Sequence, residues 1–223
     1  MTANFWLGIN LITAGYVAQG TARMDRTLEI DPLYPNGQMW RAYQYLASGD
    51  GTRAMALAQQ AAESGLRAGD HIAGEILHAA GRDAEAIEHF SRGFLGFMSS
   101  FPDPEGASRQ LAEGLYGDAA AHDKALAMIE AYLATKPRVV SGAAPWALLS
   151  LGEPARALAV AEPAATGNDP LFFRTLWSPK GATARKLPQF PEFARKVGFT
   201  EVWEKFGPPD LCRRRAPGDY VCE

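Results

Sequence analysis

Residues 70–94 read DHIAGEILHAAGRDAEAIEHFSRGF, and this stretch decides the fold. Its apolar residues recur at helical spacing on either side of Gly81-Arg82-Asp83. Because glycine ends a helix without a steric penalty, the turn separates two helices. The stretch therefore predicts a pair of helices that approach closely at small residues, Gly74 on the first helix and Ala86 on the second.

The same pattern recurs along the chain at a nearly constant interval. A small residue opens the second helix of each pair, and these residues are Gly20, Ala54, Ala86, Ala125 and Ala157. They are separated by 34, 32, 39 and 32 residues, which is the period of a helix-pair solenoid. One pair of this length cannot bury its apolar face alone, so the pairs must stack and present a concave surface for binding.

After Asp169-Pro170 the period is lost and aromatic residues concentrate. They are Phe172, Phe173, Trp177, Phe190, Phe193, Phe199, Trp203 and Phe206. Phe190 and Phe193 share one helical face, and Trp203 and Phe206 share another. We therefore expect two short helices that cap the open edge of the last repeat.

Residues 1–168 resemble the tetratricopeptide repeat, in which small residues let two antiparallel helices approach closely and proline closes each unit. The residues that match this pattern are Gly8, Pro32, Ala54, Gly74, Ala86, Ala125 and Pro137. The usual tryptophan of the first helix is missing, so the repeats are degenerate. The resemblance implies an all-α, right-handed superhelical solenoid of about five helix pairs in residues 1–168, followed by a helical cap and tail in residues 169–223.

The tail from Leu171 to Cys212 resembles the ending of tetratricopeptide arrays in many bacterial signalling proteins. In longer chains those arrays are joined to a winged-helix DNA-binding domain or to a class III adenylate cyclase domain. These 223 residues leave no room for either domain, so we carry over none of their functional residues. We expect the chain to be a segment of a longer array.

The first 22 residues carry no charged side chain, although they do not read as a signal peptide. No basic residue precedes the apolar run, and Asn4 and Asn10 interrupt it. We expect a packed helix and no membrane insertion. Such an uncharged helix at the end of a solenoid also offers an apolar surface for a homodimer.

Charge gives no indication of a nucleic-acid partner. The 22 basic and 25 acidic residues leave a net charge of −3, and the one basic cluster, Arg213 to Arg215, is short. We interpret this cluster as part of a solvated tail.

The only two cysteines, Cys212 and Cys222, lie in the non-periodic tail. A disulfide between them would tether the chain end and contribute about 2–3 kcal/mol in the chain-entropy model. It would favour an oxidising compartment, here the periplasm. The alternative is two reduced thiols in a cytoplasmic protein.

One cluster of side chains has the spacing of a metal site. His71, Glu75 and His78 stand at i, i+4 and i+7 of one predicted helix. The alternative is a polar stretch of groove that hydrogen-bonds locally, because no fourth ligand or nucleophile is evident. The sequence contains no GxSxG, P-loop, dinucleotide-binding or HExxH motif, so we expect neither an enzyme nor a cofactor.

The first helices of the pairs are expected to line the concave face. This face would comprise Phe5, Ile9, Asn36, Met39, Tyr43, His71, Glu75, His78, Gln110, Gly114, Trp146 and Ser150. It holds no Lys or Arg, which disfavours a clamp for a terminal carboxylate and favours an apolar peptide or helix. Tyr43 and Trp146 are either the anchors of this site or part of the core between repeats.

These observations predict a non-catalytic, sensory module of a bacterial signalling or transcription-regulatory protein that binds a peptide or protein in its concave groove. The alternatives are a small-ligand or metal sensor that uses His71, Glu75 and His78, and a module for homo-oligomerisation.

Overall fold

The computed structural model describes residues 2–135, 141–164 and 170–223. Over these ranges the chain is helical apart from one short β-hairpin, which confirms the all-α part of the predicted fold. Pro137, Asp169 and the predicted boundary between residues 168 and 169 lie outside the described residues.

Ten helices of the described ranges follow one another as five pairs. Their bounds are α1 (Thr2–Thr13), α2 (Val17–Ile30), α3 (Pro35–Ala47), α4 (Gly51–Glu63), α5 (Asp70–Ala79), α6 (Asp83–Phe94), α7 (Pro104–Tyr116), α8 (Ala119–Ala134), α9 (Ala143–Ser150) and α10 (Pro154–Ala164). Short 3₁₀ turns span Arg67–Gly69 and Leu95–Met98.

Glycines in the left-handed conformation end most of the first helices. They are Gly15, Gly49, Gly81 and Gly152, with φ between 74° and 94°. The amide after the glycine then bonds back into the last helical turn, as from Asp50 to the Tyr45 carbonyl at 2.8 Å. This hydrogen bond satisfies a carbonyl that has no partner within the helix. Because the bond needs a left-handed residue, which is usually glycine, the position of the glycine in the sequence predicts the turn.

Small residues lie where the two helices of a pair meet. Ala54, Ala86, Ala125 and Ala157 are fully buried. A Cβ added to Gly74 would lie 2.9 Å from the Ala86 carbonyl oxygen, and one added to Gly20 would lie 2.8 Å from that of Gly8. Larger side chains would force the helices apart, which explains the periodic small residues in the sequence.

The chain forms two compact units. The first comprises Met1–Phe5 and Arg23–Pro137. In it α4 contacts α5 and α6 contacts α7, so that the pairs from α3 to α8 pack in succession. Phe90, Leu111 and Ile129 are fully buried in this unit.

The second unit comprises Trp6–Ala22 and Arg138–Glu223. Beyond α10 its elements are α11 (Pro170–Leu176), α12 (Ala182–Arg185), α13 (Phe190–Lys196), α14 (Phe199–Phe206), β1 (Cys212–Ala216) and β2 (Asp219–Cys222), with a 3₁₀ turn at Pro179–Gly181. The antiparallel strands pair Cys212 with Cys222, and a disulfide joins these two residues. The predicted bridge is confirmed, whereas the hairpin around it was not predicted.

Aromatic side chains form the core of the predicted cap. Phe190, Phe193 and Trp203 are buried, and the rings of Trp177 and Trp203 lie 5.9 Å apart. The expectation that Phe206 shares this buried face is wrong, since its side chain is 67% exposed. Phe206 is the last residue of α14, where the helix ends at solvent.

Within the second unit, the cap contacts the turn between α1 and α2. The indole of Trp177 donates to the Thr13 carbonyl at 2.8 Å, and that of Trp203 donates to Ala14 at 2.9 Å. The side chain of Asp210 accepts a hydrogen bond from the Ala18 amide at 2.7 Å. These bonds satisfy open carbonyls at the end of α1 and an open amide at the start of α2.

No helix in the described part of the chain combines the length and the apolar character needed to cross a membrane.

Candidate functional site

Most of the residues predicted for the concave face are buried in the structure. Phe5, Ile9, Met39, Tyr43, His71 and Trp146 are each at most 9% exposed. Gly114 is also buried, and a Cβ on it would collide with the Cβ of Ala125. These side chains fill the interior of their own units and offer little surface to a ligand. For Tyr43 and Trp146, core packing is the better interpretation.

The remaining predicted residues keep some access to solvent. Asn36, Glu75, Gln110 and Ser150 are half-buried, and His78 is exposed. The Gln110 amide donates to the Lys124 carbonyl at 2.8 Å, so it fixes α7 against α8. The sequence pattern located the first helices correctly but did not distinguish their buried face from their exposed one.

The proposed metal ligands on α5 lie in different environments. His71 is fully buried, with its ring 4.8 Å from that of Tyr43 and 5.7 Å from that of Phe94. His78 is 47% exposed, and its Nδ1 lies 2.7 Å from an oxygen of Asp83. The difference arises because the N-terminal end of α5 is covered by aromatic side chains, whereas its C-terminal end reaches solvent.

No group of three or more His, Cys, Asp or Glu side chains in the described ranges is arranged to hold a metal ion. The structure therefore does not support His71, Glu75 and His78 as a metal site, and the two histidines have separate packing roles instead. His71 packs in an aromatic cluster, and His78 stacks on Tyr116 at 4.7 Å. Burial raises the pKa of Tyr116, and the negative charge of Glu75 adds to this effect, so the phenol stays neutral.

A pocket of about 470 Å³ opens in the first unit between α2, α3 and α4. It is lined by Asp25, Leu28, Glu29, Arg41, Tyr45, Arg53, Ala56 and Leu57. This volume is within the range of pockets that hold small molecules or single side chains of a partner. Its lining combines aliphatic side chains with charged ones.

The ring of Tyr45 is the centre of the pocket's charged side. The guanidinium carbon of Arg41 lies 4.0 Å from the ring centroid, and that of Arg53 lies 4.4 Å from it. Cations over an aromatic face are attracted by its quadrupole, so the ring holds both arginines in place. The arrangement joins two helices, because Arg41 and Tyr45 lie on α3 and Arg53 lies in the first turn of α4.

Carboxylates orient both arginines. The Nε of Arg41 donates to Asp25 at 2.5 Å, and the Nε of Arg53 donates to Asp50 at 2.5 Å. The side chain of Asp50 also accepts the backbone amide of Arg53, and this bond is the main reason why the pKa of Asp50 is lowered. The bond to Asp50 in turn raises the pKa of Arg53, which therefore stays charged.

No motif in the sequence marked this pocket in advance. Arg41 and Tyr45 stand at i and i+4 of a predicted helix, a spacing that places an arginine beside an aromatic ring. Arg53 comes shortly after the Gly49 turn, so its side chain returns to the ring of Tyr45. Asp25 lies on the preceding pair, however, and no local spacing rule connects it to α3. The sequence therefore carried a local signal for the contacts within the α3–α4 pair, but it carried none for the contact of Asp25 with that pair.

Comparisons with the models of known protein families and with curated proteins find no match to this chain.

Proposed function

We propose that this chain is a tetratricopeptide-like, right-handed helical solenoid with a C-terminal cap, and that it binds a peptide or protein segment without chemistry of its own. The proposal includes a role as the sensory or interaction module of a bacterial signalling or transcription-regulatory protein. The resemblance of the repeats and of the tail supports that setting.

One observation carries the proposal. Successive helix pairs carry small residues at their crossings, as at Gly74 with Ala86. A pocket opens where the first two pairs meet. Stacked helix pairs of this kind present extended surfaces that bind other chains. The pocket contains tyrosine and arginine, which are two of the residue types that contribute most to protein interfaces. We therefore propose α2 to α4 as the binding surface, in place of the first-helix residues that are buried.

A peptide-display selection tests this function. The purified full chain is immobilised and exposed to random dodecapeptides, and enriched sequences are synthesised in native and scrambled order. We expect a consensus sequence whose native order binds at least tenfold more tightly than its scrambled order. Repeated selections that yield no consensus, from protein with a native circular dichroism spectrum, would contradict the proposal.

Self-association is a second candidate function, because α1 displays two large apolar side chains. Trp6 is 54% exposed and Leu7 is 43% exposed, whereas Ile9 and Ile12 on the same helix are buried. Apolar side chains exposed close together mark candidate interaction sites, and in a homodimer a second copy of the chain supplies the partner surface.

A further inference from the structure

We propose that the hairpin of β1 and β2 is a site of limited proteolysis, where a serine protease specific for arginine cleaves the peptide bond between Arg215 and Ala216. The disulfide between Cys212 and Cys222 flanks this bond on both sides, so the products stay joined after the cut. The hairpin lies outside the proposed peptide-binding surface, and the two proposals are therefore independent of each other.

The residues that such a protease would recognise are consecutive and exposed. Arg213, Arg214 and Arg215 precede Ala216 on β1, and all four residues are exposed to solvent. An acidic pocket in the protease selects arginine on the N-terminal side of the cut, as in trypsin. Among the three arginines, Arg215 is the one whose next residue is small and uncharged. We therefore place the cut after Arg215.

The salt bridge of Arg215 leaves its side chain available to a protease. Its guanidinium donates to Asp219 at 2.8 Å, and the two side chains are 53% and 41% exposed. Exposed ion pairs of this kind contribute little to stability. A carboxylate in the protease pocket can therefore take the place of Asp219.

A β-bulge at Arg215 weakens the strand pairing next to the bond. Arg214 pairs with Tyr220 and Ala216 pairs with Asp219, so Arg215 has no partner in the strand register. The extra residue of a bulge locally disrupts the hydrogen bonding between strands. The peptide group to be cleaved therefore adjoins the least regular point of the hairpin.

Strand β1 can separate from β2 while the cap stays folded. A protease binds its substrate as an extended segment, which requires β1 to detach locally. Beyond Cys212 every residue of β1 is exposed, whereas Tyr220 and Cys222 of β2 are buried. The ion pair of Arg214 with Glu204 is partly exposed and adds little resistance. Since a two-stranded hairpin has little stability of its own, we expect β1 to open readily.

Exposure alone does not make the arginines of the described helices equally good sites. Arg26 on α2 and Arg195 on α13 have side chains that are 60% and 62% exposed. Cleavage at either residue would require its helix to unwind and buried residues, such as Met24 and Phe193, to leave the core. Proteolysis of a native protein follows the free energy of the local opening that it needs. We therefore expect the hairpin to be cleaved more readily than these helices.

The cut is a hydrolysis that consumes one water molecule. The protease breaks the bond between the carbonyl carbon of Arg215 and the nitrogen of Ala216, and water adds across it. Arg215 then ends in a carboxylate and Ala216 begins with an ammonium group. The peptide from Ala216 to Glu223 stays attached through Cys222 until a thiol reduces the disulfide.

Limited digestion of the full, oxidised chain with trypsin tests the proposal. Without reductant, mass spectrometry should find a species that is heavier than the intact chain by one water molecule and keeps a native circular dichroism spectrum. Dithiothreitol should then release the peptide from Ala216 to Glu223, which identifies the cleaved bond.

Two variants separate the hairpin site from general exposure. Arg215→Gln should slow cleavage before Ala216 by at least about tenfold, because a neutral side chain leaves the acidic pocket of the protease unpaired. Arg195→Gln removes an exposed arginine from α13 and should leave this rate unchanged. Circular dichroism verifies that both variants fold.

Three results would overturn the proposal: no cleavage before Ala216 while the chain keeps its native spectrum, equal rates in the wild type and in Arg215→Gln, or loss of the terminal peptide without a reductant. The peptide selection uses a different surface, so its failure would remove the proposed function and leave the hairpin site standing.

Discussion

At the scale of single residues, steric demands explain more of this sequence than charge does. Gly74 illustrates this, since its α-hydrogen faces the backbone of α6, where a Cβ would lie 2.9 Å from the Phe90 nitrogen. The distance is shorter than real Cβ contacts allow, so one of the helices would have to move. Small residues recur at such crossings because the backbones come too close for anything larger.

Replacing Gly74 with leucine tests this steric role. We expect Gly74→Leu to lower the free energy of unfolding by about 1–3 kcal/mol through overpacking, measured by urea denaturation. Ala79→Leu is the matched control, because Ala79 is exposed near the end of the same helix and should change stability by less than about 0.5 kcal/mol. Equal stability of the two variants would show that α5 and α6 are not in close contact.

A second residue-scale feature is the polar contact beneath the disulfide hairpin. The carboxylate of Glu204 accepts hydrogen bonds from the Gly218 amide at 2.9 Å and from the Tyr220 hydroxyl at 2.8 Å. Arg214 also donates to Glu204. Burial is the main cause that raises the pKa of Tyr220 to about 12, and the bond to Glu204 adds to it.

The raised pKa of Tyr220 predicts a loss of stability in alkali. The folded state favours the neutral phenol, so this contribution is complete below the ordinary pKa of 10.0 and is lost as the pH rises towards about 12. The difference in tyrosinate absorbance between the wild type and Tyr220→Phe should have its midpoint near pH 12. A midpoint near pH 10 would mean that Tyr220 is solvated.

At the scale of elements, the sequence predicted the helix pairs well. Their turns carry local signals, as in Ser48-Gly49-Asp50, where a left-handed glycine is followed by the aspartate that caps α4. The hairpin of β1 and β2 carries the same turn signal, because the left-handed Gly218 is followed by Asp219, but its strands carry none, because Arg213 to Arg215 lacks apolar alternation. A disulfide joins its two strands, and Glu204 of α14 accepts hydrogen bonds from Gly218 and Tyr220, contacts that no periodic pattern in the sequence reports.

The hairpin should depend on its disulfide. Replacing both Cys212 and Cys222 with serine should lower the free energy of unfolding by about 2–3 kcal/mol, since the short loop no longer restricts the unfolded chain. Urea denaturation measures the change, and reduced wild-type protein should match the variant.

Hydrogen exchange locates the same effect. The amides of Ala18 and Asp210, which bond the α1–α2 turn to the segment before β1, should exchange faster in the Cys212→Ser/Cys222→Ser variant. Unchanged exchange and unchanged stability would show that packing alone holds this end of the chain.

Helix α1 carries the prediction for self-association. If Trp6 and Leu7 contact a second copy, the sedimentation coefficient of the wild type should rise with concentration, whereas Trp6→Gln should remain monomeric. Phe206→Gln is the control, because it removes another exposed aromatic residue and should behave like the wild type. A wild type that stays monomeric at all concentrations would exclude this interface.

At the scale of the whole molecule, sequence reasoning failed to predict contacts between segments that are far apart in the chain. Periodicity predicted the paired helices, and the aromatic tail predicted a cap. Neither pattern predicted that Trp177 and Trp203 donate hydrogen bonds to the α1–α2 turn, which lies more than 160 residues earlier in the chain. The sequence pattern also assigned the buried His71 to a groove. An i, i+4 and i+7 spacing shows which residues share a helix face, but not which end of the helix is covered by neighbouring side chains.

The proposed binding function also depends on contacts beyond a single helix pair, because the pocket needs two pairs to form. Asp25 comes from one pair, and Arg41, Tyr45 and Arg53 come from the next. Neither pair would hold the site alone. This explains why a search for local motifs missed the pocket.

Calorimetric titration of a display-selected peptide into the full chain is the decisive test of peptide binding. We predict saturable binding of one peptide per chain, with a Kd on the order of micromolar and a negative change in heat capacity from apolar burial. Titrations that never saturate, or that give the same heat with the scrambled peptide, would contradict a role in peptide binding.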